Sequence, residues 1–101
     1  MLHAKIVDIK EKKISLSDAE KFISSNSYGA SIFFTGNVRD QNNDKNVVGI
    51  TYDSHDALVI KSFQEIYNEA EKKLKIDKKS VFIEHAKGYL SLGETSIIIA
   101  V

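Results

Sequence analysis

Arg39 is the residue of this sequence best suited to bind an anion. It follows a mainly apolar stretch, residues 29–38 (Gly-Ala-Ser-Ile-Phe-Phe-Thr-Gly-Asn-Val), and precedes a polar segment, residues 40–46. A guanidinium group presents its donors as a planar fork, which can bind a phosphate or a carboxylate through two hydrogen bonds. At the end of a buried strand the same group can satisfy stray backbone carbonyls. The residues alone leave both roles open.

The elements on either side of Arg39 would hold it in place. Apolar side chains occur at both alternating sets of positions in residues 29–38, which is typical of a strand covered on both sides. We therefore predict a central strand there. All seven residues from 40 to 46 are polar with high turn propensity, so they predict a solvated hairpin connection to a strand over residues 47–52.

Other chemistry-bearing residues form no recognisable motif. The sequence has no cysteine, which excludes disulfides and thiolate chemistry. His3, His55 and His85 are far apart and lack the spacing of metal ligands, so neither a metal site nor another cofactor is predicted. His85 ends an apolar stretch and is interpreted as a hydrogen-bonded histidine in the core or at its rim, in preference to a catalytic histidine.

Length and charge limit the classes of function. A chain of 101 residues is expected to form one domain, residues 1–101. Fourteen basic residues balance fourteen acidic ones, which argues against a broad electrostatic contact with nucleic acid. No apolar run approaches the roughly 20 residues that cross a bilayer, and the first ten residues do not resemble a signal peptide. We expect a soluble cytoplasmic protein whose partners include neither nucleic acid nor a membrane.

Hydrophobic periodicity predicts the element order β-α-β-β-α-β-β and hence an α+β fold, a two-layer sandwich. The predicted strands cover residues 4–9, 29–38, 47–52, 81–85 and 95–101, and the predicted helices cover residues 17–24 and 57–75. Ser17 and Glu20 fit a capping box for the first helix, and Asp56 is suited to cap the second. A turn is predicted at residues 87–88, and the apolar last strand is predicted to be buried on both faces.

Two segments together resemble the family of large (MoaE-type) subunits of molybdopterin synthase. The first contains Phe-Thr-Gly-Asn-Val-Arg at residues 34–39 and continues into a strand and a long helix. The second has His85, then Gly-Tyr-Leu at 88–90 and Gly-Glu at 93–94, and it matches the family pattern His-Arg-x-Gly-x-Leu-x-x-Gly-Glu. The resemblance covers residues 28–101 in continuous register.

This resemblance implies an α/β hammerhead-type fold that forms a homodimer, with a small ubiquitin-like sulfur-carrier (MoaD-like) subunit bound at each end. The family converts cyclic pyranopterin monophosphate into molybdopterin, and the C-terminal thiocarboxylate of the carrier donates the sulfur. Carried over by residue, the resemblance implies that Arg39 contacts the substrate, with Asn37 and Val38 beside it. It also suggests that residues 40–46 close over the pocket or guide the carrier tail.

The sequence departs from the family in two places. Ala86 stands where the family has an arginine. The family's Ser-x-His-Arg motif and catalytic lysines lie beyond the strand that ends here at Val101, so no catalytic residue is assigned. We interpret the sequence as a sulfurtransferase subunit that is truncated, or as a shortened member that binds carrier or pterin without turnover. The alternative is a non-catalytic interaction module that pairs through its sheet edge.

Overall fold

The computed structural model describes residues 1–75 and 78–101, which form a mixed five-stranded sheet, a small hairpin and two helices. In chain order the elements are β1 (Leu2–Asp8), α1 (Leu16–Ile23), β2 (Phe33–Asn37), β3 (Gln41–Asn42), β4 (Lys45–Asn46), β5 (Gly49–Tyr52), α2 (Asp56–Leu74), β6 (Val81–Ser91) and β7 (Thr95–Ala100). The predicted α+β class and element order are confirmed, with one addition, the hairpin of β3 and β4.

The long strand β6 lies at the centre of the sheet. Its residues 81–87 pair in parallel with β1, its residues 82–85 pair antiparallel with β7, and its residues 88–91 pair antiparallel with β5. The predicted turn at residues 87–88 is wrong. Gly88 has a φ of 109°, but β6 continues through it and pairs with β5 from there on. The chain reverses near Gly93, whose φ is 83°.

The two helices lie on opposite faces of the sheet. The helix α1 covers the face on which the main core forms, and the members of that core are Val7, Ile14, Ala19, Ile23, Val38, Phe82, Ala86, Leu90, Ile98 and Ala100. The helix α2 contacts β1 and reaches the other face, where its Asp56 pairs with Lys87 of β6. It leaves β7 and β2 uncovered there, and Phe34 is 56% exposed. We call this uncovered half the open face.

β2 lies at the edge of the sheet, so the prediction of a central strand covered on both sides is wrong. Among residues 1–75 and 78–101 it pairs only with β7, and all its residues except Gly36 are exposed. The prediction that the last strand is buried on both faces is only partly right. In β7, Ser96, Ile98 and Ala100 are buried, while the alternate residues are partly exposed. A strand with apolar residues on both faces has the same sequence pattern whether its second face is covered or exposed. The pattern therefore did not distinguish an edge strand from a central one.

The predicted cap of α1 is wrong by two residues. Ser15 caps the helix, and its Oγ accepts a hydrogen bond from the backbone N–H of Asp18 at 3.4 Å. A hydroxyl followed three residues later by an acid occurs twice here, at Ser15 and again at Ser17. The earlier pair forms the cap because Leu16 is already helical, which places Ser17 inside the first turn.

The cap of α2 is also not the predicted one. His55 is the N-cap, and its Nδ1 accepts a hydrogen bond from the N–H of Leu58 at 3.4 Å. Asp56 is instead the first helical residue, and its carboxylate accepts hydrogen bonds from Ser54 and Lys87. Asp56 therefore lies inside the first turn, and its carboxylate binds groups outside the helix.

Residues 40–46 form a hairpin of their own. Asn43 and Asp44 join β3 to β4 with φ angles of 51° and 63°, the left-handed conformation that a tight hairpin turn requires. At the base, the N–H of Val47 donates to the carbonyl oxygen of Asp40 at 2.8 Å. The polar segment was predicted to join two paired strands, but β2 pairs with β7 and β5 pairs with β6.

Candidate functional site

A β-bulge decides which side chains the end of β2 presents. The register pairs Gly36 with Ile97 but Asn37 with Thr95, so β7 carries one extra residue, Ser96, at this point. The Oγ of Ser96 donates to the carbonyl oxygen of Gly36 at 3.2 Å. Because a bulge interrupts the alternation of a strand, Asn37 lies on the same face as Thr95 and Ile97, which is the open face.

Val38 anchors this strand end in the core. Its side chain is 2% exposed, its N–H donates to the carbonyl of Glu94 at 2.9 Å, and its carbonyl accepts from the N–H of Gly93 at 2.8 Å. The carboxylate of Glu94 in turn accepts from the N–H of Ser91 at 2.9 Å, which fixes the β6–β7 turn. What Val38 can contribute to the predicted substrate site is therefore the position of its two neighbours.

Asn37 and Arg39 are exposed on either side of this anchor. The Oδ1 of Asn37 accepts a hydrogen bond from the Oγ1 of Thr95 at 2.8 Å, which orients the amide and makes its NH2 group the part that a ligand could use. Arg39 is the single arginine of the sequence and stands directly before the β3–β4 hairpin. The three predicted residues thus form one short strip, with two polar side chains outside and an apolar one inside.

Two cavities in the described part of the chain have none of these three residues in their lining. One of about 750 Å³ surrounds the start of β2 and is lined by residues that include Tyr28, Ile32 and Val101. Another, of about 260 Å³, lies beside Glu94 and Thr95. Ligand sites usually enclose most of a small molecule, so the strip at residues 37–39 would need a covering chain to hold one tightly.

A polar cluster joins β6 to the start of α2. The Nζ of Lys87 is 3.0 Å from the Oδ2 of Asp56, and the Oγ of Ser54 donates to its Oδ1 at 2.5 Å. The hydrogen bonds from Ser54 and then Lys87 lower the pKa of Asp56, and the bond to Asp56 raises the pKa of Lys87. Both groups are charged at neutral pH, so the pair is a structural link and not a proton donor.

His85 lies two strands away from Gly36, since Ile97 of β7 pairs with both. Its Nδ1 is 2.8 Å from the carbonyl oxygen of Ala86, which can only accept, so Nδ1 carries the proton and Nε2 is the acceptor of the neutral ring. The predicted hydrogen bond of His85 is confirmed, and of the two predicted locations the partly exposed ring fits the rim of the core. Sequence reasoning missed Tyr52, whose ring meets His85 edge-on at 5.2 Å, because the pairing of β5 with β6 leaves no mark in residue spacing.

His3 and Glu84 form a second polar pair, on the face covered by α1. Glu84 is 2% exposed, its Oε2 is 2.7 Å from the Nε2 of His3, and its Oε1 has no hydrogen-bond partner within the described residues. The ring of His3 stacks on Phe82 with centroids 4.8 Å apart. Since Asn37 and His85 lie on the opposite face, this pair belongs to the core and not to the strand end.

Two kinds of feature are absent from residues 1–75 and 78–101. Their His, Asp and Glu side chains nowhere gather in a group of three that could hold a metal ion. None of the helices in this part of the chain has the length and apolar character needed to cross a membrane.

Comparisons with known proteins agree on one family. A family model described as MoaE protein matches residues 9–101. The molybdopterin synthase catalytic subunit of Emericella nidulans is 39% identical over 88 residues, which are 87% of this chain and 44% of the relative. That of Pyrococcus abyssi is 33% identical over 92 residues, 91% of this chain and 61% of the relative. The chain therefore spans about half of the length of these two relatives.

Solved structures show the same fold. A molybdopterin synthase structure from Staphylococcus aureus superposes with a TM-score of 0.81 at 23% identity, covering 95% of this chain and 66% of that one. The molybdopterin cofactor biosynthesis protein E of Burkholderia multivorans superposes with a TM-score of 0.79 at 20% identity, covering 99% of this chain and 62% of that one. At these identities the likeness supports the fold alone.

Proposed function

The chain belongs to the MoaE family, and we propose that it acts in a molybdopterin synthase, where it binds cyclic pyranopterin monophosphate while a small carrier subunit supplies the sulfur. The observation that carries this proposal is the strip at the end of β2. The family match includes it, and there the buried Val38 holds Asn37 and Arg39 at the surface.

The role of Arg39 follows from its chemistry. A guanidinium can donate two parallel hydrogen bonds to the oxygens of a cyclic phosphate and keeps its charge at any physiological pH. The same charge would stabilise negative charge that develops during sulfur transfer. The NH2 group of Asn37 adds a neutral donor beside it. In this proposal the β3–β4 hairpin, attached directly after Arg39, closes over the bound phosphate.

The openness of the strip supports the proposed partners. A small ligand on an open surface is poorly desolvated, so its electrostatic contacts are weak. A second protein chain that covers the strip would remove this weakness. We propose that a small ubiquitin-like (MoaD-like) carrier, with its thiocarboxylate tail, and a second copy of the chain complete the site in the cytoplasm, giving a homodimer with one carrier for each copy.

The catalytic rate is a separate part of the proposal. The chain spans 44% of one curated relative and 61% of another, and none of its lysines is assigned an acid–base role. General acid–base groups contribute on the order of 10² to 10⁴ in rate. We therefore propose that these 101 residues, taken alone, bind the substrate and the carrier but transfer sulfur slowly.

The test is to mix the chain with a thiocarboxylated carrier and cyclic pyranopterin monophosphate, and to measure pterin binding by fluorescence and dithiolene formation by mass spectrometry. We expect binding that Arg39→Ala weakens, and little product. Lys45→Ala is the matched control, because it removes an exposed positive charge of β4 without removing the guanidinium. Equal binding by the Arg39 variant would refute the substrate role, and rapid product formation would refute the slow-transfer claim.

The edge of β2 supports a second candidate, a non-catalytic module that pairs with another chain. The strand has an unpaired side, and no charged residue lies between Ile32 and Asn37 to oppose an added strand. Such edges accept strands from partners. Under this reading carrier binding would persist in Arg39→Ala but fall when Thr35 on β2 is replaced by proline, which disrupts strand pairing.

A further inference from the structure

The open face offers a floor for a flat ligand beside the strip at residues 37–39. Phe34 of β2 and Ile97 and Ile99 of β7 lie on it, and all three retain exposure to solvent. No charged side chain from β2 or β7 lies on this floor. Aromatic and aliphatic groups of this kind pack against the faces of fused rings, so the surface suits a heterocycle better than an extended polar chain.

The pairing of residues across neighbouring strands gives the length of this floor. Gly36, Ile97 and His85 lie in one row across β2, β7 and β6. Because neighbouring strands are about 4.8 Å apart, the backbone of His85 is roughly 10 Å from that of Gly36. Gly36 adds no side chain of its own, and the Cγ2 of Ile97 lies 2.8 Å from where its Cβ would be, so Ile97 forms the floor at this point. A fused three-ring system of about that length could lie across it.

The side chains of His85 and Tyr52 lie at the far end of this row. The ring of His85 is partly exposed, its Nδ1 is held by the carbonyl of Ala86 at 2.8 Å, and its position is fixed further by Tyr52 at 5.2 Å. The tautomer leaves Nε2 as an acceptor for a ring N–H. A held ring with one available nitrogen is suited to recognising a heterocycle.

We propose that His85 and Tyr52 bind the ring system of the pterin substrate whose phosphate Arg39 holds. The inference rests on the function proposed above and adds the part of the site that sets its selectivity for a heterocycle. Neither of the other histidines can take this role, because the ring of His55 caps α2 and His3 is bound to Glu84 on the opposite face. The ammonium of Lys87 is committed to Asp56.

The test uses the 101-residue chain and follows the ring signals of its three histidines by ¹H–¹³C NMR while cyclic pyranopterin monophosphate is added. Signals are assigned with His3→Gln, His55→Gln and His85→Gln. We expect the His85 signal to move in step with the backbone amides of Asn37 and Arg39, while the His55 signal stays in place. The titration itself is carried out on the wild-type chain, and the variants serve only to assign the signals.

A variant measures the size of the effect. His85→Phe keeps an aromatic ring against Tyr52 and removes both ring nitrogens, so we expect the dissociation constant to rise about tenfold, the loss of one well-formed hydrogen bond. His55→Gln should change it less than twofold. Ligand-induced changes at Asn37 and Arg39 without a change at His85 would overturn this inference and leave the proposed function standing. No change at any of these positions would overturn both.

Discussion

Substitutions at two adjacent residues should separate stability from ligand binding. Val38→Ala should lower the stability, and Arg39→Ala should lower the affinity for the ligand. Val38 is 2% exposed and belongs to the core, so Val38→Ala removes two buried methyl groups. At about 0.8 kcal/mol for each group, plus a term for the cavity left behind, the cost is about 2 kcal/mol. For a domain of this size that loss lowers the melting temperature by roughly 8 to 16 °C.

Arg39→Ala should change the stability little and weaken ligand binding. The side chain is exposed, and surface substitutions change the free energy of unfolding by about 0.5 kcal/mol or less. Hydrogen bonds to a charged group contribute roughly 1.5 to 3 kcal/mol, so the affinity for cyclic pyranopterin monophosphate should fall on the order of 10- to 100-fold. The assays are thermal unfolding by circular dichroism and titration of pterin fluorescence, with both variants at the same pH and salt concentration.

The substrate role of Arg39 requires that Val38→Ala lowers the melting temperature and that Arg39→Ala lowers the affinity. If Arg39→Ala lowered the melting temperature as much as Val38→Ala and left the affinity unchanged, the guanidinium would be a plug for backbone carbonyls and the substrate role would be refuted. Arg39→Lys separates charge from shape. It keeps the charge but loses the fork, so it should recover less than half of the lost binding free energy.

Three further predictions concern the framework around the site. Gly49→Ala should cost about 1 to 3 kcal/mol in urea unfolding, since the added Cβ would lie 2.7 Å from a backbone carbonyl oxygen of β6, whereas Gly29→Ala, with nothing within 4 Å, should cost far less. Lys87→Met should lower the melting temperature near neutral pH. Hydrogen bonds from Ser54 and Lys87 lower the pKa of Asp56 from 3.8, so the difference is fully present above pH 3.8 and shrinks as the pH falls through the lowered pKa, and equal melting temperatures of the two proteins at neutral pH would contradict the ion pair. His3→Ala should destabilise by about 1 to 3 kcal/mol, because it leaves the buried Glu84 without its hydrogen-bond partner, and a loss under about 0.5 kcal/mol in urea unfolding would argue against that pair.

Local patterns predicted the elements well where burial and periodicity agree. The class of fold, the order of strands and helices, and a helix close to residues 57–75 all follow from apolar spacing, and the structure confirms them. The caps were harder because two candidate residues stood close together in each case, and in α2 one of the two, Asp56, has a partner that is distant in sequence. Lys87, for example, binds Asp56 from 31 positions away, and residue spacing carries no trace of that contact.

The strand that carries Arg39 shows the limit most clearly. Strict alternation places Val38 on the face of Phe34, and Asn37 and Arg39 on the other. The bulge reverses this order by letting β7 run one residue longer than β2 between Gly36 and Asn37, so that Val38 enters the core beneath α1.

This reversal is what gives the strip its proposed chemistry. With regular pairing, Asn37 would face the core covered by α1, and an apolar valine would lie on the open face instead. The extra residue in β7 turns Asn37 outward to Thr95, onto the face shared with His85. Deleting Ser96 should restore regular pairing, expose Val38 and abolish pterin binding, with the change of register visible as a new set of cross-strand nuclear Overhauser effects between β2 and β7. If the deletion left affinity intact, the bulge would be irrelevant to the site.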